Sequence, residues 1–535
     1  MTEPAPEATS PAFALAASGR GRAIGIAAVI LMLGNLSTSA LGFTRQAVIA
    51  HVFHTASTDA WFAASIVPQM FYDLTIGAAI SAALIPTFTE IFERDGREAL
   101  GRTLGSVLVL AWLALGLVVV VLILSAGPFM HLLLHAYPQY HNVVAESVDV
   151  VRVLLPSLVF LGTSAVLLSA LYSMKRFTAP AFATTFYHLG IILGAILLAR
   201  PLGVLALPVG ALAGAAAQAA VQLPSLIRGG IRPRIKFELS PTIRKILRLY
   251  LPVAAGLVIS IAGQIVDLNF KASLGPGAIS WMSWATTFTQ FPIGIAVAAL
   301  SFAVLPTISS DVAFLRPDQF KQTLTMGMRL VLFLTIPAAV GFLVAGTPII
   351  RLILQHRDFT AHDTAMTVQA LSGYAIQIPF VGIDQLLIFA FYARRNTVTP
   401  MLVGVVGVAI YIVSALLLRP HLHILGLALA NTLQNSIHGL ILLGLLLLAI
   451  GPFGGRPLLA GIGRTVVCGV AMAAVTIVVV NVTAGHLGTD RLSARVLTVV
   501  ATMAVAGMSY VLCAALLRSE ELAYVLRISG LRSSA

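Results

Sequence analysis

The chain reads as an all-α polytopic membrane protein of about fourteen transmembrane helices, two parallel six-helix repeats followed by two C-terminal helices. Three observations predict this. Of its 535 residues, 58% are apolar and 10% charged, against about a quarter charged in a soluble domain. The apolar residues fall in runs of about 20, enough to cross a hydrocarbon core of roughly 30 Å. Two segments recur at one offset of 220 residues: Ser81–Thr87 (SAALIPT) returns as Ser301–Thr307 (SFAVLPT), and Leu171–Arg176 (LYSMKR), closing at Pro180, returns as Phe391–Arg395 (FYARR), closing at Pro400. Trp61 and Trp281 share the offset. Carriers built by duplication keep such a register.

Taken in order, residues 1–22 are rich in Ala, Pro, Ser and Thr and are expected as a disordered cytoplasmic tail. The apolar run after Arg20 and Arg22 has no small-residue cleavage site and is read as a retained first span, not a signal peptide. Spans are then expected with centres near 33, 75, 114, 161, 189, 215, 259, 292, 339, 379, 408, 436, 471 and 506. They group into an N-lobe over 23–228, a cytoplasmic linker over 229–247 and a C-lobe over 248–450. Two appended spans over 451–520 and a tail over 521–535 complete the chain.

A net charge of +13 would suit nucleic acid if the basic residues formed a face, but they sit in short loops between spans. With the N-terminus inside, most of the 33 Lys and Arg fall on cytoplasmic loops: Arg94, Arg97 and Arg102, then Lys175 and Arg176, then the set from Arg228 to Arg248, then Arg394 and Arg395. That asymmetry orients the chain with both termini cytoplasmic. Six spans separate equivalent positions, so the repeats share one orientation and are parallel. Cys468 and Cys513 lie in apolar runs and read as small helix residues.

Ionisable groups within spans are costly and mark candidate sites. Arg45 ends the first span and Asp73 lies in the second. Asp149 and Arg152 share a face at i,i+3, and Asp267 and Lys271 at i,i+4. Asp384, beside Gln385, has no local partner; His188, beside Tyr187, lies in the fifth span. Neutral pairing that fixes helix packing competes with function for the two pairs. His131, His135 and His141 follow no ligand spacing and read as solvated loop residues, so no metal and no cofactor is expected. Pro68, Pro156, Pro292 and Pro379 are expected to interrupt their spans, marking moving, cavity-lining helices. No phosphate loop, HExxH or GxSxG constellation is present, and the loops are too short for a catalytic domain, so the chain is not expected to be an enzyme.

Leu41–Arg45 (LGFTR), Asp59-Ala60-Trp61, Ile85–Phe88 (IPTF), Ile279–Met282 (ISWM), Phe291-Pro292, Leu305-Pro306 and Phe391–Arg394 (FYAR) through Thr399-Pro400 stand in order along the chain. In that order and spacing the chain resembles the MurJ (MviN) family of the multidrug/oligosaccharidyl-lipid/polysaccharide exporter superfamily, from about residue 23 to 520. The resemblance implies a monomeric flippase in the bacterial cytoplasmic membrane. It would carry lipid II, an undecaprenyl-pyrophosphate-linked precursor, to the outer leaflet by alternating access, in contact with membrane lipids and with no nucleic-acid partner. The rival reading is an exporter of another lipid-linked oligosaccharide or of a cationic amphiphile. With the resemblance and the in-span charges taken together, substrate contacts are expected at Arg45, with Arg152, Lys271 and Asp73, and cavity or coupling roles for Asp59, Asp267 and Asp384. Against the family pattern, Ser39 stands for the first arginine of span 1, Gln46 for an acid, Tyr72-Asp73 for a basic pair and Thr287 for the arginine of span 8.

Overall fold

The computed structural model describes residues 19–72, 84–134, 141–236, 262–304, 316–356, 358–488 and 491–528, with 241, 244, 246, 308, 311 and 312. In the first half of the chain run α1 (Gly19–Val52), α2 (Thr55–Tyr72), α3 (Ile85–Leu124), α4 (Ala126–Leu133), α5 (His141–Leu154), α6 (Ser157–Ser173), α7 (Thr178–Leu202), α8 (Ala206–Ala220) and α9 (Leu223–Arg228). The second half holds α10 (262–272), α11 (Ala278–Ala303), α12 (Pro317–Ile353), α13 (Ala361–Ala375), α14 (Ile378–Ala393) and α15 (Val398–Ile450). α16 (Gly455–Leu487), α17 (Leu492–Leu516) and α18 (Glu520–Ile528) follow. Every expected span centre within the described residues falls on a helix; those at 75 and 259 lie outside them, as do residues 1–18 of the expected tail.

Among the described residues, six helical stretches are long and apolar enough to cross a membrane, and two bent pairs raise that to eight. Two of the six double back. The stretch Thr178–Arg228 turns at Gly203, and Val398–Ile450 turns at His423. In the first hairpin small residues let backbones meet: a Cβ at Gly194 would stand 2.5 Å from the Ala206 carbonyl oxygen. In the second, Gly407 lies against Gln434 and His438 of the returning limb.

The duplication expected from sequence is visible in backbone conformation at the same offset. α6 and α14 end in one Schellman geometry. Lys175 (φ 58°) and Arg395 (φ 60°) are left-handed, and the 6→1 bonds Arg176 N–H to Leu171 O (2.9 Å) and Asn396 N–H to Phe391 O (3.0 Å) close both helices. A cation rather than glycine tolerates the left-handed cost there, where it also faces the negative end of the helix dipole. The hairpin turns repeat as well: Gly203 has φ 55°, ψ −138° and His423 has φ 50°, ψ −120°. The bends between α5 and α6 (41°) and between α13 and α14 (43°) fall at matching places. Proline explains the first through Pro156; Ile376 stands at the second, with Pro379 in the first turn of α14. Pro68 and Pro292, expected to interrupt their spans, lie inside α2 and α11, which continue through them.

The apolar core is joined at one end of the bundle and split at the other. One cluster draws on both halves, from Ile49, Trp61 and Leu134 to Trp284, Phe359 and Ala430. Toward the Schellman ends there are two clusters, one of first-half residues around Phe88, Leu104 and Leu171, the other of second-half residues around Leu324, Leu386 and Leu442. α16 and α17 pack on α12, where the Tyr510 hydroxyl donates to the Phe333 carbonyl (2.8 Å). α18 is tied to α12 by Arg329, whose Nε lies 2.6 Å from Glu521 and whose Nη2 lies 2.9 Å from Glu520.

Candidate functional site

Between the halves, on the side of the shared core away from the loops, lies a cavity of about 500 Å³. α1 lends it Arg45 and Gln46, α2 Ser65 and Gln69, α7 Tyr187 and His188, and α8 Gln218; Gln264 and Thr287 come from the other half. Trp61, Phe62, Ile66, Pro68 and Leu161 complete the lining, which is therefore mixed apolar and polar, its polar groups mostly neutral, with one guanidinium among the described residues. An Nη of Arg45 lies 3.3 Å from His188 Nδ1, and its Nε is buried with no hydrogen-bond partner among the described residues. Guanidinium nitrogens only donate, so His188 Nδ1 accepts and the imidazole proton sits on Nε2. Gly42, one turn before Arg45, leaves room for the ring: a Cβ there would lie 3.6 Å from His188 Nε2.

Gln46 donates to the Thr287 hydroxyl across the halves (3.3 Å). These are the two positions read from sequence as departures from the pattern of the family the chain resembles, an acid and an arginine being expected there. A neutral hydrogen bond thus joins the positions where a charge pair would otherwise be possible.

Above the cavity the halves are held together. The Asp59 carboxylate, fully buried, accepts from the Gly277 N–H (2.5 Å) and the Ser280 N–H (2.8 Å) at the start of α11. An anion at a helix N-terminus satisfies otherwise unpaired donors and meets the positive end of the dipole. Gly277 adopts φ 88°, a conformation glycine reaches without strain. Thr58 and Ser280 hydroxyls lie 2.8 Å apart, and rings cross the same junction in the pairs Phe43–Phe288 and Phe62–Trp284. Toward the loops, His51 and His356 rings stand 5.3 Å apart, and His54 Nε2 lies 3.5 Å from Asp358. Burial first, then the charges of His51 and Arg495, lower the His356 pKa from its ordinary value.

Among the described residues, the remaining candidates lie away from this cavity. Arg152 pairs with Asp149 (3.7 Å) on an exposed face of α5. Lys271 lies 2.6 Å from Asp267 and is 12% exposed, while the Tyr411 hydroxyl donates to the other Asp267 oxygen, so that half-buried acid is paired within the second half. Asp384, without a partner in its own helix, meets His438 of α15, Nδ1 to Oδ1 2.7 Å, and both are 14% exposed. Asp73 and His135 lie outside the described residues, and His131 is exposed. His438, Gln69, Gln218 and Gln264 escaped sequence reasoning. Spacing along the chain cannot signal a pair 54 residues apart, and uncharged amides carry no membrane-cost signal.

The family model described as lipid II flippase MurJ matches residues 49–498. A probable lipid II flippase MurJ of Rhizobium meliloti is 28% identical over 487 residues, covering 89% of this chain and 90% of that one. Another, of Bdellovibrio bacteriovorus, is 26% identical over 424 residues, covering 78% and 81%. Among solved structures, lipid II flippase MurJ in an inward closed conformation superposes with a TM-score of 0.75 at 22% identity, covering 91% of this chain and 98% of that one. A multidrug resistance MATE family transporter in an inward-facing conformation reaches 0.65 at 11% identity, covering 79% and 98%. The duplicated helical halves, the cavity between them and the family match over most of the length agree: this chain belongs to the lipid II flippase MurJ family.

Proposed function

We propose that the chain moves lipid II from the inner to the outer leaflet of the bacterial cytoplasmic membrane by alternating access. Both termini face the cytoplasm, which puts Asp59 and the shared core at the outer side and the split cores at the inner side. The observation that carries the reading is Arg45: a guanidinium lining a cavity between two halves, with its Nε unpartnered among the described residues. A phosphate supplies the anion such a group lacks, in bidentate geometry. The neutral amides around it suit the hydroxyls and amides of a sugar-peptide head, which need a wet, hydrogen-bonding passage through the bilayer.

On that orientation, the cores meet at the outer end and part at the inner end. A head entering from the cytoplasm would be held at Arg45 below the Asp59 contacts. Release would require those contacts to break while the inner clusters close on one another. The Asp267–Lys271–Tyr411 cluster and the Asp384–His438 pair serve in this reading to keep the second half rigid while it rocks.

The test is rescue. A bacterium depleted of its own lipid II flippase should grow on the wild-type chain and not on Arg45→Ala at equal membrane abundance. Growth on neither, with the wild type verified in the membrane of two unrelated hosts, would count against lipid II as substrate.

A further inference from the structure

We propose that His188 is a second, conditional cation of the substrate cavity, taking up a proton when a diphosphate engages Arg45. The inference rests on the reading of the cavity as a diphosphate site. It begins from the 3.3 Å contact between Arg45 and His188 Nδ1. Because a guanidinium can only donate, that nitrogen is an acceptor and the ring is neutral while the contact stands. A diphosphate is a better acceptor than an imidazole and takes both arms of the guanidinium. Once Arg45 turns to the phosphate oxygens, Nδ1 loses its donor and faces an anion, so it gains a proton from solvent and donates to the same ligand. No covalent bond changes; one proton joins the complex.

Among the described residues, no other group at the cavity does this task. Tyr187, beside His188, keeps its proton through the physiological range. Gln69 from α2, Leu161 from α6, Gln218 from α8, Gln264 from α10 and Thr287 from α11 line the same space and do not titrate. Arg45 is permanently charged. The consequence is that the diphosphate is held by one fixed and one borrowed positive charge, and the borrowed one leaves when the ligand does. A cavity with a single arginine thereby matches a doubly charged head without keeping two cations side by side in the apo protein.

The experiment is calorimetric titration of geranylgeranyl diphosphate into the purified full chain in nanodiscs at pH 7.5, in PIPES and in Tris. The difference in heat between the buffers counts protons exchanged. The wild type is expected to take up close to one proton more than His188→Gln, and to lose affinity roughly tenfold per pH unit on the alkaline limb. His188→Gln should bind more weakly with no such slope. His188→Arg, carrying a permanent charge, should bind tightly with the extra proton absent, an outcome a merely structural histidine would not give. Equal proton counts in wild type and His188→Gln, with binding that still depends on Arg45, would overturn this proposal and leave the diphosphate site standing. Binding that is indifferent to Arg45→Gln, or absent in the wild type, would remove the diphosphate reading and the role of His188 with it.

Discussion

Asp59, on the first half of the chain, caps α11 of the second half through both carboxylate oxygens, with Ser280 N–H at 2.8 Å and Gly277 N–H at 2.5 Å. A carboxylate buried with full hydrogen bonding is a strong join while it lasts, and its donors are orphaned once it leaves. Asp59→Ala is therefore expected to destabilise the closed outer junction by about 1–3 kcal/mol. The neighbouring hydroxyls supply a direct readout. Thr58→Cys with Ser280→Cys, replacing oxygens 2.8 Å apart, should form a disulfide in oxidant and stop transport until reduced. Adding Asp59→Ala should lower the cross-linking yield; an unchanged yield would mean the carboxylate does not hold the junction.

How far the sequence exposed this arrangement depended on distance along the chain. Lys271–Asp267 was legible because four residues place both on one helical face. The duplication was legible in the apolar motifs. The contacts that join helices were not: Asp59 meets Gly277 across 218 positions, Arg45 meets His188 across 143, and one sequence carries no signal for either. The repeat itself runs deeper than the motifs showed. Gly203 and His423 share a backbone conformation although their side chains have nothing in common, so only the structure relates them.

That pairing makes a stability prediction. His423 is exposed and sits at φ 50°, ψ −120°, the region a type II′ turn reserves for glycine. Such a conformation costs a non-glycine residue about 1–3 kcal/mol, against about 0.5–1 kcal/mol for the extra chain entropy glycine loses. His423→Gly should raise stability by about 1 kcal/mol, and Gly203→Ala should lower it by a comparable amount. Thermal unfolding of the two variants in detergent checks both signs; a lower midpoint for His423→Gly would show that the side chain contributes more than the strain removes.

The loop histidine predicts a pH dependence. His356 has its pKa lowered, by burial first and then by His51 and Arg495. A base depressed on folding binds its proton more readily when unfolded, so its share of stability is present above the unfolded value, near 6.5. It is lost as pH falls through the folded pKa. Acidification from pH 7.5 should lower the unfolding temperature of the wild type more than that of His356→Gln. Parallel curves for the two proteins would show that the histidine is not the group responsible.

Inside the second half, Asp384 and His438 form a contact of 2.7 Å at 14% exposure each, joining α14 to the returning limb of α15. Removing one partner strands the other in an environment with little water, whereas removing both strands nothing. Asp384→Ala or His438→Ala alone should each destabilise by about 3 kcal/mol, and the double variant should cost less than the sum by about 0.5–3 kcal/mol. Gly439 packs beside the carboxylate, with a Cβ there reaching 3.5 Å from that of Asp384, so the alanine variants leave space rather than a clash. A thermal double-mutant cycle measures the coupling. Additive losses would mean that the two groups merely sit together, each held by its own helix, and that the pair does not fasten α14 to α15.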